Sequence, residues 1–168
     1  ALVTMVVMAV SMTTGPFIGQ NWGAGKFDRV HNALSLTYRF SILWGLFAFV
    51  FMLVAGEYLV TLINDDPTVV ETASSFLIII PLSIGFMGIT AIASTCFNAL
   101  GKPLPPLILS ICRMFVVYIP LALLGDYLWG YIGIFIATSA TTILMGIVAW
   151  YWNKVIIGRE IRLVQASV

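Results

Sequence analysis

Ser83, Met87, Thr90, Ser94 and Asn98 recur at intervals of three and four residues through an otherwise apolar stretch. That spacing places them on one face of a helix. Hydroxyls, an amide and a flexible thioether suit a cleft wall for varied amphipathic ligands, because methionine adapts to what it meets. The same small polar residues also let two helices approach closely and hydrogen-bond across the contact. Both readings stand at this level. Arg113 is the other residue with chemical potential. It lies eleven positions past Lys102, about 16 Å farther along a helix rising 1.5 Å per residue.

A third feature is the stretch "GPFIGQNWGAGKF", residues 15–27, directly after an uncharged apolar run. Gly23 and Gly25 are expected to break a helix there, with Lys26 and Arg29 near the negative end of its dipole. Gln20 and Asn21 are then placed to bond carbonyls that the ended helix leaves unpaired in a poorly hydrated layer. Enzyme chemistry lacks material. His31 is the single histidine, expected as a polar contact in a loop, and Cys96 and Cys112 lie inside apolar runs, where free buried thiols are expected. No nucleophile–histidine set, deep carboxylate pair or metal-ligand cluster is spelled out. No catalytic residue, metal, cofactor or nucleic-acid partner is therefore expected.

The elements that must position these residues follow from composition. The chain is 61% hydrophobic and 9% charged, whereas a soluble domain carries about 25% charged residues. Residues 1–25, 40–56, 72–101 and 127–153 contain no Asp, Glu, Lys or Arg. A helix needs roughly 20 apolar residues to cross a hydrocarbon layer of about 30 Å, and these runs offer no charged face to water. The fold class is all-α integral membrane, a polytopic helical bundle. Its five spans are expected near residues 2–18, 40–63, 76–100, 104–124 and 131–152. Uninterrupted apolar runs of this length exclude a β-barrel. The first run lacks a basic lead-in and a cleavage site, so it is not read as a signal peptide.

Basic residues fall in alternate connections: Lys26, Arg29 and Arg39 between the first two spans, Lys102 between the third and fourth, and Lys154, Arg159 and Arg162 after the fifth. Asp65, Asp66, Glu71 and Asp126 occupy the others. The positive-inside rule then predicts a cytoplasmic C-terminus, with residues 154–168 as a cytoplasmic tail to a bundle over residues 1–153. Residue 1 is expected outside. The chain starts with Ala inside an apolar run, which is read as a fragment whose N-terminal helices are missing. Gly101 and Pro103, Pro105 and Pro106 turn one span into the next. Pro81 and Pro120 are expected to kink their helices and free carbonyls. A lone arginine at mid-bilayer costs roughly 2.5–3.5 kcal/mol on insertion scales, so Arg113 must face protein or water, or snorkel. Glu57 and Asp126 belong near the outer face, too far to pair with it. Bonding to carbonyls at helix ends is the preferred role, with gating or ligand contact second.

"GPFIGQNWGAGKFDRV" resembles a signature of the multidrug and toxic compound extrusion (MATE) transporters. "FNALGKPLPPLILSICRMFVVYIPLALLG" and "WGYIGIFIATSATTILMGIVAWYW" are similar to that family's last three helices in order and spacing. The resemblance implies two six-helix lobes around a cleft, of which this chain matches helices eight to twelve: five helices of an incomplete second lobe. It implies a secondary active antiporter in the cell (inner) membrane. Such a protein exchanges H+ or Na+ for amphipathic, often cationic compounds by alternating access, with the lipid bilayer and the missing N-terminal lobe as partners. Some members carry a cation-binding carboxylate in the helix matching residues 83–98, where this sequence has none; proton coupling through a residue elsewhere is therefore favoured. A basic residue seven before a helix proline, as Arg113 stands to Pro120, also agrees with the family. The alternative is a lipid-linked oligosaccharide flippase of the related superfamily. Such proteins hold diphosphates with several basic residues, and only Arg113 is deep here.

Overall fold

The structure is a computed structural model and describes residues 2–62 and 67–166. Asn64, Asp65 and Asp66 in the first acidic connection fall outside the described residues. Helices account for nearly everything described: α1 Leu2–Gly23, α2 Phe27–Thr61, α3 Pro67–Ile79, α4 Ile84–Ala99, α5 Leu104–Ile111, α6 Ile119–Trp129 and α7 Tyr131–Ala166. A 3-10 turn at Pro81–Ser83 joins α3 to α4, and a π-helical turn at Cys112–Tyr118 joins α5 to α6. Pairing α3 with α4 and α5 with α6 leaves five helices long and apolar enough to cross a membrane. Large side chains such as Val54 and Leu123 point outward uncovered, as expected when the surrounding solvent is hydrocarbon.

Helix ends differ from the sequence expectation in an instructive way. The first helix runs past residue 18 to Gly23, and the second begins at Phe27, not near residue 40. Arg29, His31 and Arg39 consequently sit on α2 and not in a loop. The charges mark where the helices leave the apolar layer, and the backbone continues beyond it. Gly23 stays helical; the break is made by Gly25, at φ +69°. There Lys26 N–H donates to the Asn21 carbonyl at 2.8 Å and Gly25 N–H to the Trp22 carbonyl at 3.0 Å. Gly101, at φ +70°, closes α4 identically, with Lys102 N–H on the Phe97 carbonyl and Gly101 N–H on that of Asn98. Both turns are left-handed glycine caps that satisfy the last carbonyls of a helix. The amides contribute less than expected: Asn21 Nδ2 bonds the Phe17 carbonyl at 2.8 Å, inside its own helix, and Gln20 is exposed.

At the other extreme α7 continues without interruption through residue 154, where a separate tail was expected, and runs to Ala166. Lys102 Nζ meets Glu160 Oε1 at 2.8 Å and ties the α4–α5 turn to this extension.

The bundle is organised around α4, which packs against α1, α2 and α7. In lipid, apolar surface supplies no drive for helices to associate, so close packing and interhelical hydrogen bonds must do so. Glycine makes the closest approach possible. The backbones of α2 and α4 touch at Gly45 and Gly85, where an added Cβ on Gly45 would stand 2.6 Å from Gly85 Cα. Ser41 Oγ donates to the Gly85 carbonyl at 2.9 Å beside this contact. Gly125 and Gly133 make an equally close crossing between α6 and α7. Two buried clusters flank α4 toward the basic end. One holds Ile18, Val30, Leu34, Ile92, Cys96 and Ile157; the other holds Ala93, Phe97, Leu109, Met145 and Ala149.

Candidate functional site

The third span carries the stripe singled out from sequence, and its shape is set by Pro81. Proline has no N–H to donate and cannot continue a helix unperturbed. The chain answers with a tight turn in which Ser83 N–H bonds the Ile80 carbonyl at 3.0 Å. Ser139 Oγ on α7 donates to the neighbouring Ile79 carbonyl at 2.7 Å. The Ile79 carbonyl, which Ser83 N–H would meet in a continuing α-helix, is released by the tight turn, and a hydroxyl from another span satisfies it. Ser83 itself is 4% exposed, with Oγ bonded to the Ile80 carbonyl at 2.8 Å. It belongs to the turn and does not join an open stripe.

Beyond the turn, neighbours divide α4 into sectors. Gly85, Ile92 and Cys96 face α2 and its surroundings; Thr95 and Ala99 face α1, with Gly88 between the two against Ser41 and Val7; Phe86, Ala93 and Phe97 face α7. At 3.6 residues per turn, the sector left over carries positions 87, 90, 94 and 98. Met87, Thr90 and Ser94 are half-buried there and Asn98 is exposed. Thr90 Oγ1 returns to the Phe86 carbonyl at 3.1 Å. Ser94 and Asn98 side chains have no hydrogen-bond partner among the described residues. Four of the five stripe residues thus share the face of α4 turned away from α1, α2 and α7, half-buried at Met87, Thr90 and Ser94 and exposed at Asn98. Close packing between helices is made elsewhere on α4 by small residues: Gly88 against Val7, Gly15 against Thr95, and Thr95 Oγ1 with Ser11 Oγ at 2.8 Å.

Arg113 lies in the π-helical turn, half-buried. The turn precedes Pro120, and Ile119 N–H reaches back five residues to the Met114 carbonyl. The wider turn places its i→i+5 bond just before the proline, and such turns recur at functional sites. The Arg113 guanidinium makes no hydrogen bond or ion pair with any described residue, so the expected bond to helix-end carbonyls is not formed here.

Sequence reasoning missed two arrangements because their members come from different helices. Tyr38 OH donates to Asn153 Oδ1 at 3.0 Å, linking α2 to α7 across 115 positions. Thr13, Arg29, Asn32 and Thr37 border a groove of about 610 Å³ between α1 and α2. Neither pairing has a local signal, since hydrophobic periodicity reports a face and not its partner. Among the described residues no group of three or more His, Cys, Asp or Glu side chains is placed to hold a metal.

Five apolar spans, a proline-broken third span and a polar stripe on the face of α4 away from α1, α2 and α7 define part of a polytopic helical membrane bundle. The chain belongs to the MatE family, which it matches over residues 1–124. It is 34% identical over 151 residues to the FAD transporter of Shewanella oneidensis, a match covering 90% of this chain and 33% of that protein. It superposes on the Vibrio cholerae MATE transporter VcmN in its bent form with a TM-score of 0.89 and 27% identity. That alignment covers 96% of this chain and 37% of the other. The MATE transporter ClbM, in complex with Rb+, shares the fold at a TM-score of 0.80 and 22% identity, over 99% of this chain and 39% of that one. The chain spans about a third of the length of the curated relative it matches.

Proposed function

We propose that residues 1–168 act as most of one lobe of a two-lobe antiporter that exports amphipathic, often cationic compounds in exchange for H+ or Na+. The observation that supports this most is the stripe Met87, Thr90, Ser94 and Asn98. It presents polar groups and a deformable thioether on the side of α4 away from α1, α2 and α7, half-buried at the first three and exposed at Asn98. A second lobe closing over that side makes the stripe a cleft wall. Residues 83–98 hold no carboxylate, so the coupling group is assigned to another part of the transporter, and a proton is the preferred ion. The Lys and Arg positions support a cytoplasmic C-terminus in the inner membrane.

A second cargo reading has its own support. The name of the Shewanella relative points to a flavin dinucleotide, and Arg113 is a half-buried cation without a carboxylate partner among the described residues. An anionic diphosphate would suit such a group.

The experiment is Thr90→Ala and Thr90→Trp in the complete transporter, reading membrane abundance beside export of ethidium and of FAD. A wall position gives normal abundance for both variants. Alanine retains transport, losing a hydrogen bond of about 1 kcal/mol at most, while tryptophan blocks large cargo. Abundance falling in step with transport for Thr90→Trp assigns the stripe to packing and overturns the reading. Whichever of the two cargoes is exported selects between the readings.

A further inference from the structure

On the side of α4 away from the stripe, α2 and α7 diverge into a long crevice. Its inner part, of about 590 Å³, is floored by Phe86 and Ile89 of α4 and walled by Ile42 and Leu43 of α2 and Ile147 of α7. Leu43 and Ile147 are 65% and 48% exposed, so this part opens sideways and not into the bundle. Its outer part, of about 510 Å³, continues between the same two helices toward the basic end, past His31, Ser35, Lys154 and Arg162. Tyr38 and Trp150 border both parts. Arg39 stands at the mouth of the inner part, and Lys154 Nζ sits 5.4 Å from the Trp150 ring. No carboxylate is among the described residues that line either part.

The order of chemistries along this crevice matches one kind of molecule. The helices run antiparallel, and the Tyr38–Asn153 hydrogen bond holds Arg39 and Lys154 at one level. From Lys154 inward to Ile147 is seven residues, or about 10 Å of helix. That is roughly two-thirds of one leaflet's hydrocarbon depth of about 15 Å. Outward of the same level His31, Ser35 and Arg162 join Leu34, Ile157 and Ile161, so polar and basic groups stand beside an apolar floor. An amphipathic aromatic at the boundary, as Trp150 is here, is where side chains meet the headgroup layer. Basic crevices between membrane helices on the cytoplasmic side take anionic headgroups.

We propose that the α2–α7 crevice is a binding site for an anionic phospholipid, its phosphate held between Arg39 and Lys154 and one acyl chain laid over Phe86 and Ile89. The site is separate from the proposed transport stripe and does not depend on what is carried.

The test is native mass spectrometry of the full chain, delipidated in detergent and then offered phosphatidylglycerol or phosphatidylcholine with matched chains. Phosphatidylglycerol is retained in preference on the unaltered protein. Arg39→Gln and Lys154→Gln each weaken that retention about fivefold, the factor equivalent to ~1 kcal/mol per basic residue at a membrane surface. Arg39→Lys keeps it, and Arg159→Gln, which removes an exposed charge outside the crevice, leaves it unchanged. Equal retention of both lipids overturns the proposal, as does equal sensitivity to Arg159→Gln, which would report surface charge alone. Displacement by glycerol 3-phosphate would mean a phosphate site without a chain groove and overturns it too. Retention of neither lipid overturns the proposal as well. The lipid comparison on the unaltered protein decides the matter even if a variant fails to fold.

Discussion

Gly45→Ala adds one methyl group where α2 and α4 touch, and its cost follows from the contact geometry. The new Cβ meets Gly85 N and, at 2.6 Å, Gly85 Cα. Comfortable carbon–carbon separation is about 3.5–4.0 Å, so the two helices must part by roughly 1 Å. Both obstructing atoms are backbone, and no rotamer change can relieve them. Overpacking of this kind costs about 1–3 kcal/mol. Parting also stretches the Ser41–Gly85 hydrogen bond of 2.9 Å, and interhelical bonds in membranes average about 0.6 kcal/mol. Alanine returns up to ~1 kcal/mol through helix propensity. The net loss is about 1–3 kcal/mol, some five- to 150-fold in the folded fraction at ~1.4 kcal/mol per tenfold. The control is Gly23→Ala at the end of α1, where nothing lies within 4 Å of an added Cβ. It gains stability or leaves it unchanged, by up to about 1 kcal/mol. Detergent unfolding and membrane abundance of the two variants are compared with the unaltered protein. If Gly45→Ala matches or exceeds it, the α2–α4 contact is not the close seam described and the argument fails.

Topology is checked with single cysteines in a background lacking Cys96 and Cys112. Tyr127→Cys, exposed at the end of α6, reacts with an impermeant thiol reagent added outside intact cells, whereas Gly158→Cys does not; the reverse pattern inverts the assignment of the basic end. Ser139→Ala leaves the Ile79 carbonyl without its partner from α7 and lowers unfolding stability by about 0.6–1.7 kcal/mol, whereas Ser110→Ala, whose hydroxyl bonds only within its own helix, changes it far less. Equal effects would show that the turn at Pro81 does not depend on the hydroxyl from α7.

The five spans, the basic end and the glycine turn before Lys102 were legible from residues alone because each is a local property. Hydrocarbon demands about 20 apolar residues in a row, and a left-handed cap favours glycine where it stands. The polar stripe was half legible: periodicity put Met87, Thr90, Ser94 and Asn98 on one face of α4, as they are, but included Ser83, since it assumes a helix that Pro81 interrupts. It was silent on Thr95, whose hydroxyl packs on α1 while Ser94 beside it stays open. Helix ends at the membrane edge were misplaced because charge marks the boundary of the lipid, and the hydrogen-bonded backbone is free to run past it. Only the tertiary structure decided which faces of α4 are covered, that Ser139 would satisfy the Ile79 carbonyl, and that Tyr38 would find Asn153. Those choices depend on how closely backbones approach at Gly45, Gly85 and Gly125, and a distance between helices leaves no trace in the spacing along any one of them.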